Sequence, residues 1–176
     1  MATMILKIPR SIDGCVVECG CYRGGSTANL SLVCALTGRR LEVFDSFRGL
    51  PEPKDQDTNT LLGKRSTKFQ RGQFQGDLDD VQANVSQWGD VSVCRFNAGY
   101  FDNVLPQVSK ECVLVFLDVD LRSSLETCVR YLWPLLQDEC YLFTHEAQDT
   151  EARQLRRDFG QPTARPHQHV VCELVE

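Results

Sequence analysis

The chain has 176 residues, 42% of them hydrophobic and 24% charged, and a formal net charge of −5; it fits one domain over residues 1–176, large enough to bury a core without help from metals or disulfides. Its 19 basic residues are scattered rather than clustered, which argues against a nucleic-acid surface and against a polybasic membrane patch. No apolar run approaches the roughly 20 residues of a bilayer span, and Met1 to Arg10 is too short and polar for a signal peptide, so the expected location is the cytoplasm.

The first apolar run, Cys15-Val16-Val17-Glu18-Cys19, reads as a strand, followed by the glycine-rich segment Gly20 to Gly25. Ala28, Leu32, Ala35 and Leu36 then recur at helical spacing until Gly38 stops the helix. Leu41-Glu42-Val43-Phe44 is a second strand, halted at Asp45. The polar stretch from about Phe47 to Gly76 is long for a loop in a compact domain, and such loops tend to be functional. Leu78, Val81, Val85 and Trp88 mark an amphipathic helix with Asp77 as its N-cap. Val91 to Phe96 is a third strand, and Cys112 to Leu117 a fourth, nearly all apolar as in a strand covered on both faces.

Leu125, Val129, Leu132 and Leu136 form the next helical stripe, opened by Ser123-Ser124-Leu125-Glu126 in the form of a capping box. Cys140 to Thr144 is a fifth strand, Asp149 to Phe159 a charged surface helix, and Val170 to Val175 a last strand. Strands alternating with helices imply parallel βαβ units and right-handed crossovers. The expected fold class is therefore α/β, a Rossmann-like, doubly wound, mainly parallel sheet with helices on both faces. Its ligand site should lie beyond the carboxyl ends of the strands.

Nine cysteines raise the question of disulfides. Cys15, Cys19, Cys94, Cys112, Cys140 and Cys172 lie in apolar runs, Cys34 and Cys128 on helices, and only Cys21 in a turn. There is no Cys-x-x-Cys pair and no framework spacing. Most read as small buried hydrophobes in a reducing compartment rather than as bridges or zinc ligands.

The residues at the strand ends carry the chemistry. Glu18-Cys19-Gly20-Cys21-Tyr22-Arg23-Gly24-Gly25-Ser26 lacks the Gly-x-Gly-x-x-Gly of a dinucleotide fingerprint and the Gly-Lys-Ser/Thr of a P-loop. Such a loop suits a phosphate-free adenosyl ligand carrying an amino acid, although a plain βα turn has the same look. A carboxylate at Asp45, ending the second strand, can accept both hydrogen bonds of a ribose diol or cap a turn. Asp118 and Asp120 close the fourth strand. Two such carboxylates suit Mg²⁺ with retained waters, or removal of a proton from a substrate hydroxyl by the second of them, or simply a solvated turn. His145 and Glu146 follow the fifth strand and complete a metal site in the first case. His167 and His169, without a partner motif, read as surface or edge-strand histidines.

Several of these segments, taken in order, resemble the macrocin (TylF-type) O-methyltransferases, which methylate sugar hydroxyls of macrolides and related natural products. The resemblance is carried by Val17 to Ser26, by Val43-Phe44-Asp45-Ser46-Phe47-Arg48-Gly49-Leu50-Pro51, by Gly99-Tyr100-Phe101 ahead of Leu105-Pro106, and by Leu117-Asp118-Val119-Asp120-Leu121. It runs over about residues 13 to 160, and its Phe-Asp-Ser-Phe-x-Gly-Leu-Pro segment is the most specific part.

The resemblance implies the class I methyltransferase fold and S-adenosylmethionine as cofactor, held by Glu18, Gly20, Tyr22, Gly24, Ser26, Asp45, Ser46, Gly99 and Asp118. It implies Mg²⁺ or another divalent cation on Asp118, with His145 and Glu146, and Asp120 as general base toward a small-molecule hydroxyl acceptor. Three departures accompany it. His145-Glu146 stands where the family has two aspartates, which shifts metal preference toward Mn²⁺, Fe²⁺ or Zn²⁺. Arg122 follows the base and brings a cation near the metal site. The chain looks truncated at both ends relative to the family, beginning directly at the first strand without the N-terminal helices that cover substrate; a homo-oligomer would supply that cover. A catalytically silent cofactor-binding or interaction module is the alternative function these departures support. A glycosyltransferase built on Asp118-Val119-Asp120 is a third, disfavoured by the Glu18–Gly25 and Phe44–Pro51 segments.

Overall fold

The computed structural model describes residues 1–57, 69–145 and 169–172. The described residues form a six-stranded sheet in which every pairing is parallel, in the spatial order β3-β2-β1-β4-β5-β6. The strands are β1 (Cys15–Cys19), β2 (Leu41–Asp45), β3 (Cys94–Ala98), β4 (Cys112–Leu117), β5 (Leu136–Thr144) and β6 (His169–Cys172). The helices are α1 (Ala2–Lys7), α2 (Gly25–Thr37), α3 (Leu78–Trp88), the short α4 (Phe101–Val104) and α5 (Arg122–Leu132). This is the doubly wound Rossmann order, and the chain reverses direction across the sheet between β1 and β4.

β1 and β4 are buried along their whole length, as parallel strands covered on both faces must be. Beyond the strands the ladder continues one residue further at the carboxyl edge. Gly99 N donates to Asp45 O, Gly20 N to Phe44 O, Asp118 N to Cys19 O and His145 N to Leu117 O, at 2.9 to 3.0 Å. Five strand tips are thereby locked in a row, and everything that follows them starts from a fixed position.

Several expectations change at the boundaries. The third strand begins at Cys94, because Val91–Val93 make a 3-10 turn closed by the Asp90 carboxylate, which accepts from Ser92 N. Leu136 belongs to β5 and not to the preceding helix, since Trp133–Leu135 form a 3-10 turn with proline in it. On α2 the apolar stripe marks the helix but not its inner face: Leu32 and Leu36 are exposed, and Thr27, Ala28, Leu30, Ser31 and Cys34 are buried. Trp88, the last member of the α3 stripe, is exposed as well, and only Val81 and Val85 of that helix are fully buried. Asp77 sits at the N-cap of α3 but makes no side-chain cap bond.

The chain also does not start at the first strand. α1 precedes it, with Ile5 and Ile8 buried in the core. Arg39, itself buried at the end of α2, donates to the carbonyls of Pro9, Ile12 and Gly14 and ties this lead-in down. The surface helix expected at Asp149 to Phe159 and His167 lie outside the described residues, as do Glu173 to Val175 of the expected last strand. The eight described cysteines are all free and all but Cys94 buried. Burial pushes the thiols of Cys15 and Cys34 up to about 11 and about 12, which makes them poor nucleophiles. Among the described residues no helix is long and apolar enough to cross a membrane.

Candidate functional site

The cavity at the carboxyl edge has a volume of about 580 Å³, within the roughly 300–1,000 Å³ of small-ligand sites. It opens where the sheet order reverses, as a doubly wound fold requires. Of the residues singled out from sequence, Gly20, Tyr22, Ser26, Asp45, Ser46, Gly99, Asp118 and Asp120 line it. Glu18 and Gly24 do not.

Gly20 sets the floor. Its φ is +83°, and a Cβ there would come within 1.9 Å of the Asp118 carbonyl oxygen. Only glycine lets the β1–α2 turn and the end of β4 approach this closely. Gly24, also left-handed, faces away from the cavity side of the turn: a Cβ would press on Val81 and Val85 of α3 at 3.1 and 3.2 Å. Its place in the motif reflects helix packing. Glu18 lies beneath the turn, fully buried, with Thr27 Oγ1 donating to Oε2 at 2.6 Å. Burial pushes its carboxyl up to about 7; the Ser26 and Thr27 hydroxyls beside it offset this only in part.

Asp45 takes the capping role and leaves its carboxylate on the cavity wall. Its Oδ2 accepts from Cys21 N and its Oδ1 from Phe47 N, both at 2.8 Å. The carboxylate thus clamps the β1–α2 turn to the start of the loop after β2 while facing the cavity. Ser46 closes that start with a turn of its own, donating to Gly49 O and accepting from Arg48 N.

The loop after β2 is held at three points. Leu50 N donates to Gln73 O and Gly72 N to Leu50 O, pairing its two described arms. Gly76 passes so close to Tyr22 that a Cβ would lie 1.9 Å from the Tyr22 carbonyl oxygen. Asp57, buried in a 3-10 turn, accepts from Lys54 N, Ser123 N and Ser123 Oγ at 2.7, 2.7 and 2.8 Å. Asp57 therefore supplies the cap at the start of α5. The capping box expected from Ser123 and Glu126 does not form: Leu121 is the N-cap, Ser123 turns to Asp57, and Glu126 accepts from Arg122 and Gln56.

At the end of β4, Asp118 Oδ1 lies 3.4 Å from His145 Nδ1. Asp120 stands at φ 59°, a left-handed conformation that aspartate tolerates and that turns the chain into α5. Burial, and then the neighbouring Asp118 charge, push its carboxyl up to about 6; His145 pulls the other way.

Of the three expected metal ligands, Asp118 and His145 are brought together. Among the described residues no three His, Cys, Asp or Glu side chains could hold an ion together; Asp118 and His145 turn to each other, and Glu146 lies outside the described residues. Arg122 does not press on this site either, because its Nε donates to Glu126 Oε1 at 2.9 Å along the helix. The described part of that donor set is two side chains, one fewer than the three expected.

An adenosyl cofactor fits the site. Asp45 presents a carboxylate whose oxygens each keep a lone pair beyond the backbone bond they accept, Asp118 offers negative charge to a cationic group, and Leu50, Val119, Tyr100 and Phe101 supply apolar walls. Sequence reasoning missed Asp57, Lys54, Phe74, Asp102 and Thr127. Asp102 joins the cavity wall through Thr127 Oγ1, which donates to it at 3.0 Å, with Lys54 Nζ at 4.0 Å. No local pattern marks these residues, because each acquires its partner from a distant part of the chain.

The fold and cavity define a Rossmann-like α/β domain of the kind that binds a nucleoside-containing cofactor at its switch point. The family described as macrocin-O-methyltransferase (TylF) matches residues 3–163, and the chain belongs to that family. A relative from Streptomyces olivaceus, 8-demethyl-8-(2,3-dimethoxy-alpha-L-rhamnosyl)-tetracenomycin-C 4'-O-methyltransferase, is 32% identical over 131 residues, 71% of this chain and 49% of the relative. The chain thus spans about half the length of that curated relative. The O-methyltransferase NovP has the same fold, with a TM-score of 0.73 at 20% identity over 91% of this chain and 69% of its own. The calicheamicin methyltransferase CalS11 follows at a TM-score of 0.56 and 16% identity, over 78% of this chain and 59% of its own.

Proposed function

We propose that the chain binds S-adenosylmethionine across the carboxyl edge of the sheet and transfers a methyl group to a hydroxyl of a small molecule, a sugar or other natural-product moiety. The observation that carries the reading is the convergence of the Gly20–Ser26 turn, Asp45, Asp118 and Asp120 on one cavity, in a chain whose family is one of O-methyltransferases. When bound, S-adenosylmethionine supplies an electrophilic methyl group on a sulfonium centre.

Asp45 is placed to accept the ribose hydroxyls, and its backbone bonds hold it rigid for that purpose. Asp118 faces the cationic part of the cofactor. Asp120 takes the proton of the acceptor hydroxyl as that oxygen bonds to the methyl carbon and the carbon–sulfur electron pair returns to sulfur. A carboxyl held near 6 is still mostly ionised at neutral pH yet basic enough to accept a proton, which suits a general base. The remaining contribution is positioning, worth several kcal/mol in well-aligned reactions.

The free, buried cysteines support the expected reducing, cytoplasmic setting. A cofactor-binding module without transfer is the second reading, supported by His145 standing where the family has an aspartate. Calorimetric titration of S-adenosylmethionine, with and without Mg²⁺, on wild type, Asp45→Ala and Asp118→Ala tests the proposal. Loss of two hydrogen bonds to a charged acceptor should weaken binding at least tenfold in Asp45→Ala. A folded wild type that binds no cofactor refutes it, and binding without transfer to any hydroxyl acceptor supports the second reading.

A further inference from the structure

The β1–α2 turn and the second arm of the β2–α3 loop meet at the mouth of the cavity, and each presents an aromatic ring there. Tyr22 and Phe74 both line the cavity, and both remain substantially exposed, at 45% and 41%. Both also stand in left-handed backbone, at φ 46° and φ 58°. Bulky residues rarely adopt that conformation, and it persists only where surrounding structure enforces it.

The enforcement is visible on both sides. Gly76 packs directly on the Tyr22 carbonyl, and the Phe74 arm is paired with Leu50 through Gly72 and Gln73. Neither ring fills the core. They meet edge to face, with centroids 6.0 Å apart and planes at 83°. Phe69 adds a second ring 6.3 Å from Phe74, and the Arg23 guanidinium lies 5.2 Å from the Tyr22 centroid.

We propose that Tyr22 and Phe74 form an aromatic corner that binds a flat aromatic ring of the acceptor, the part that projects beyond the reacting hydroxyl. The inference rests on the reading of the cavity as a methyl-transfer site and names its acceptor class: a hydroxyl-bearing unit joined to an aromatic ring system. Two walls at right angles let an incoming ring stack on one and meet the edge of the other, the two arrangements aromatic pairs favour. Desolvation of both exposed rings adds to the contact. An aliphatic acceptor gains only the second contribution. The Arg23 cation beside Tyr22 disfavours a positively charged ring and accommodates a neutral or phenolic one.

The test compares phenyl α-L-rhamnopyranoside with methyl α-L-rhamnopyranoside by calorimetry, with and without S-adenosylhomocysteine, on wild type, Tyr22→Asn and Phe74→Asn. Asparagine tolerates the left-handed backbone, so the loops keep their course while the rings are removed, and melting temperature reports the fold of each variant. Wild type should prefer the phenyl glycoside, and each substitution should reduce that preference roughly two- to tenfold. Equal affinity of wild type for the two glycosides overturns the corner, as does a preference that survives in both variants. The glycoside comparison in wild type stands even if a variant fails to fold. Failure of wild type to bind S-adenosylhomocysteine counts against the methyl-transfer reading, and the cofactor-free arm still decides the corner.

Discussion

Asp57 is the residue whose loss the structure makes most informative. It lies in the loop after β2, yet it completes the first turn of α5, 66 residues further along the chain. Its carboxylate accepts three hydrogen bonds, at 2.7, 2.7 and 2.8 Å, and the residue is buried. Each bond to a charged acceptor is worth about 1.5–3 kcal/mol net. Simple addition overshoots, because in Asp57→Ala the loop arm can lift and let water reach Lys54 N and Ser123. A lost helix cap alone costs about 1 kcal/mol, and each buried donor left without its acceptor about 1–3 kcal/mol. We expect about 3 kcal/mol for Asp57→Ala, a fall in Tm of roughly 6–12 °C for a chain of this size.

Denaturant unfolding of Asp57→Ala, Ser123→Ala and the double variant would measure it, with a coupling of about 1–2 kcal/mol between the two positions. Hydrogen exchange at the Ser123 amide supplies a local readout. A destabilisation under about 1 kcal/mol, or strictly additive single variants, would show that the loop does not depend on this cap. Because the same arm carries Leu50, Pro51 and Lys54 to the cavity wall, cofactor affinity should fall together with stability.

Three further outcomes follow from the same geometry. Glu18 has its carboxyl pushed up from an ordinary 4.5 to about 7 by burial. The folded state therefore holds a proton that the unfolded chain releases, and stability present below about pH 4.5 declines as pH rises to about 7, by on the order of 3 kcal/mol. Glu18→Gln should flatten that part of the stability–pH curve, and a slope unchanged by the substitution would assign it to other groups. Asp120, raised to about 6, must be ionised to act as a base. Transfer should rise with pH through about 6 and then level off, and Asp120→Asn should bind cofactor while losing both turnover and this limb; retained turnover would remove Asp120 from the mechanism. Gly20→Ala places a methyl 1.9 Å from the Asp118 carbonyl oxygen in left-handed backbone. The conformation costs about 1–2 kcal/mol and the strained Asp118 N–Cys19 O bond about 1 kcal/mol more, so Tm should drop by several degrees and cofactor binding should disappear. A variant with unchanged Tm would mean that the tips of β1 and β4 part freely.

The sequence by itself determined the architecture. Short continuous apolar runs such as Cys112 to Leu117, bounded by polar turns, fit strands covered on both faces, and their alternation with helical periods points to a parallel, doubly wound sheet. Rossmann topology then places Gly20, Asp45 and Asp118 at one edge before any coordinate is known. These features were legible because their determinants are local: a period, a glycine, a carboxylate at a strand end.

The tertiary structure decided the rest, because its determinants are pairings between residues far apart in the chain. Whether Leu32 faces the sheet or solvent depends on how α2 is rolled, and the short Thr27, Ser31 and Cys34 side chains let that side lie closest to the strands. Whether Ser123 caps its own helix or donates to another carboxylate depends on where residue 57 arrives. Gly24 looks like a ligand-loop glycine and is fixed instead by Val81 and Val85. Asp118 and His145 read as neighbours from separate strand ends, and closure of the sheet sets them 3.4 Å apart. Each residue advertises the chemistry it can do, but the partner that selects among those options is brought to it only when the chain closes on itself.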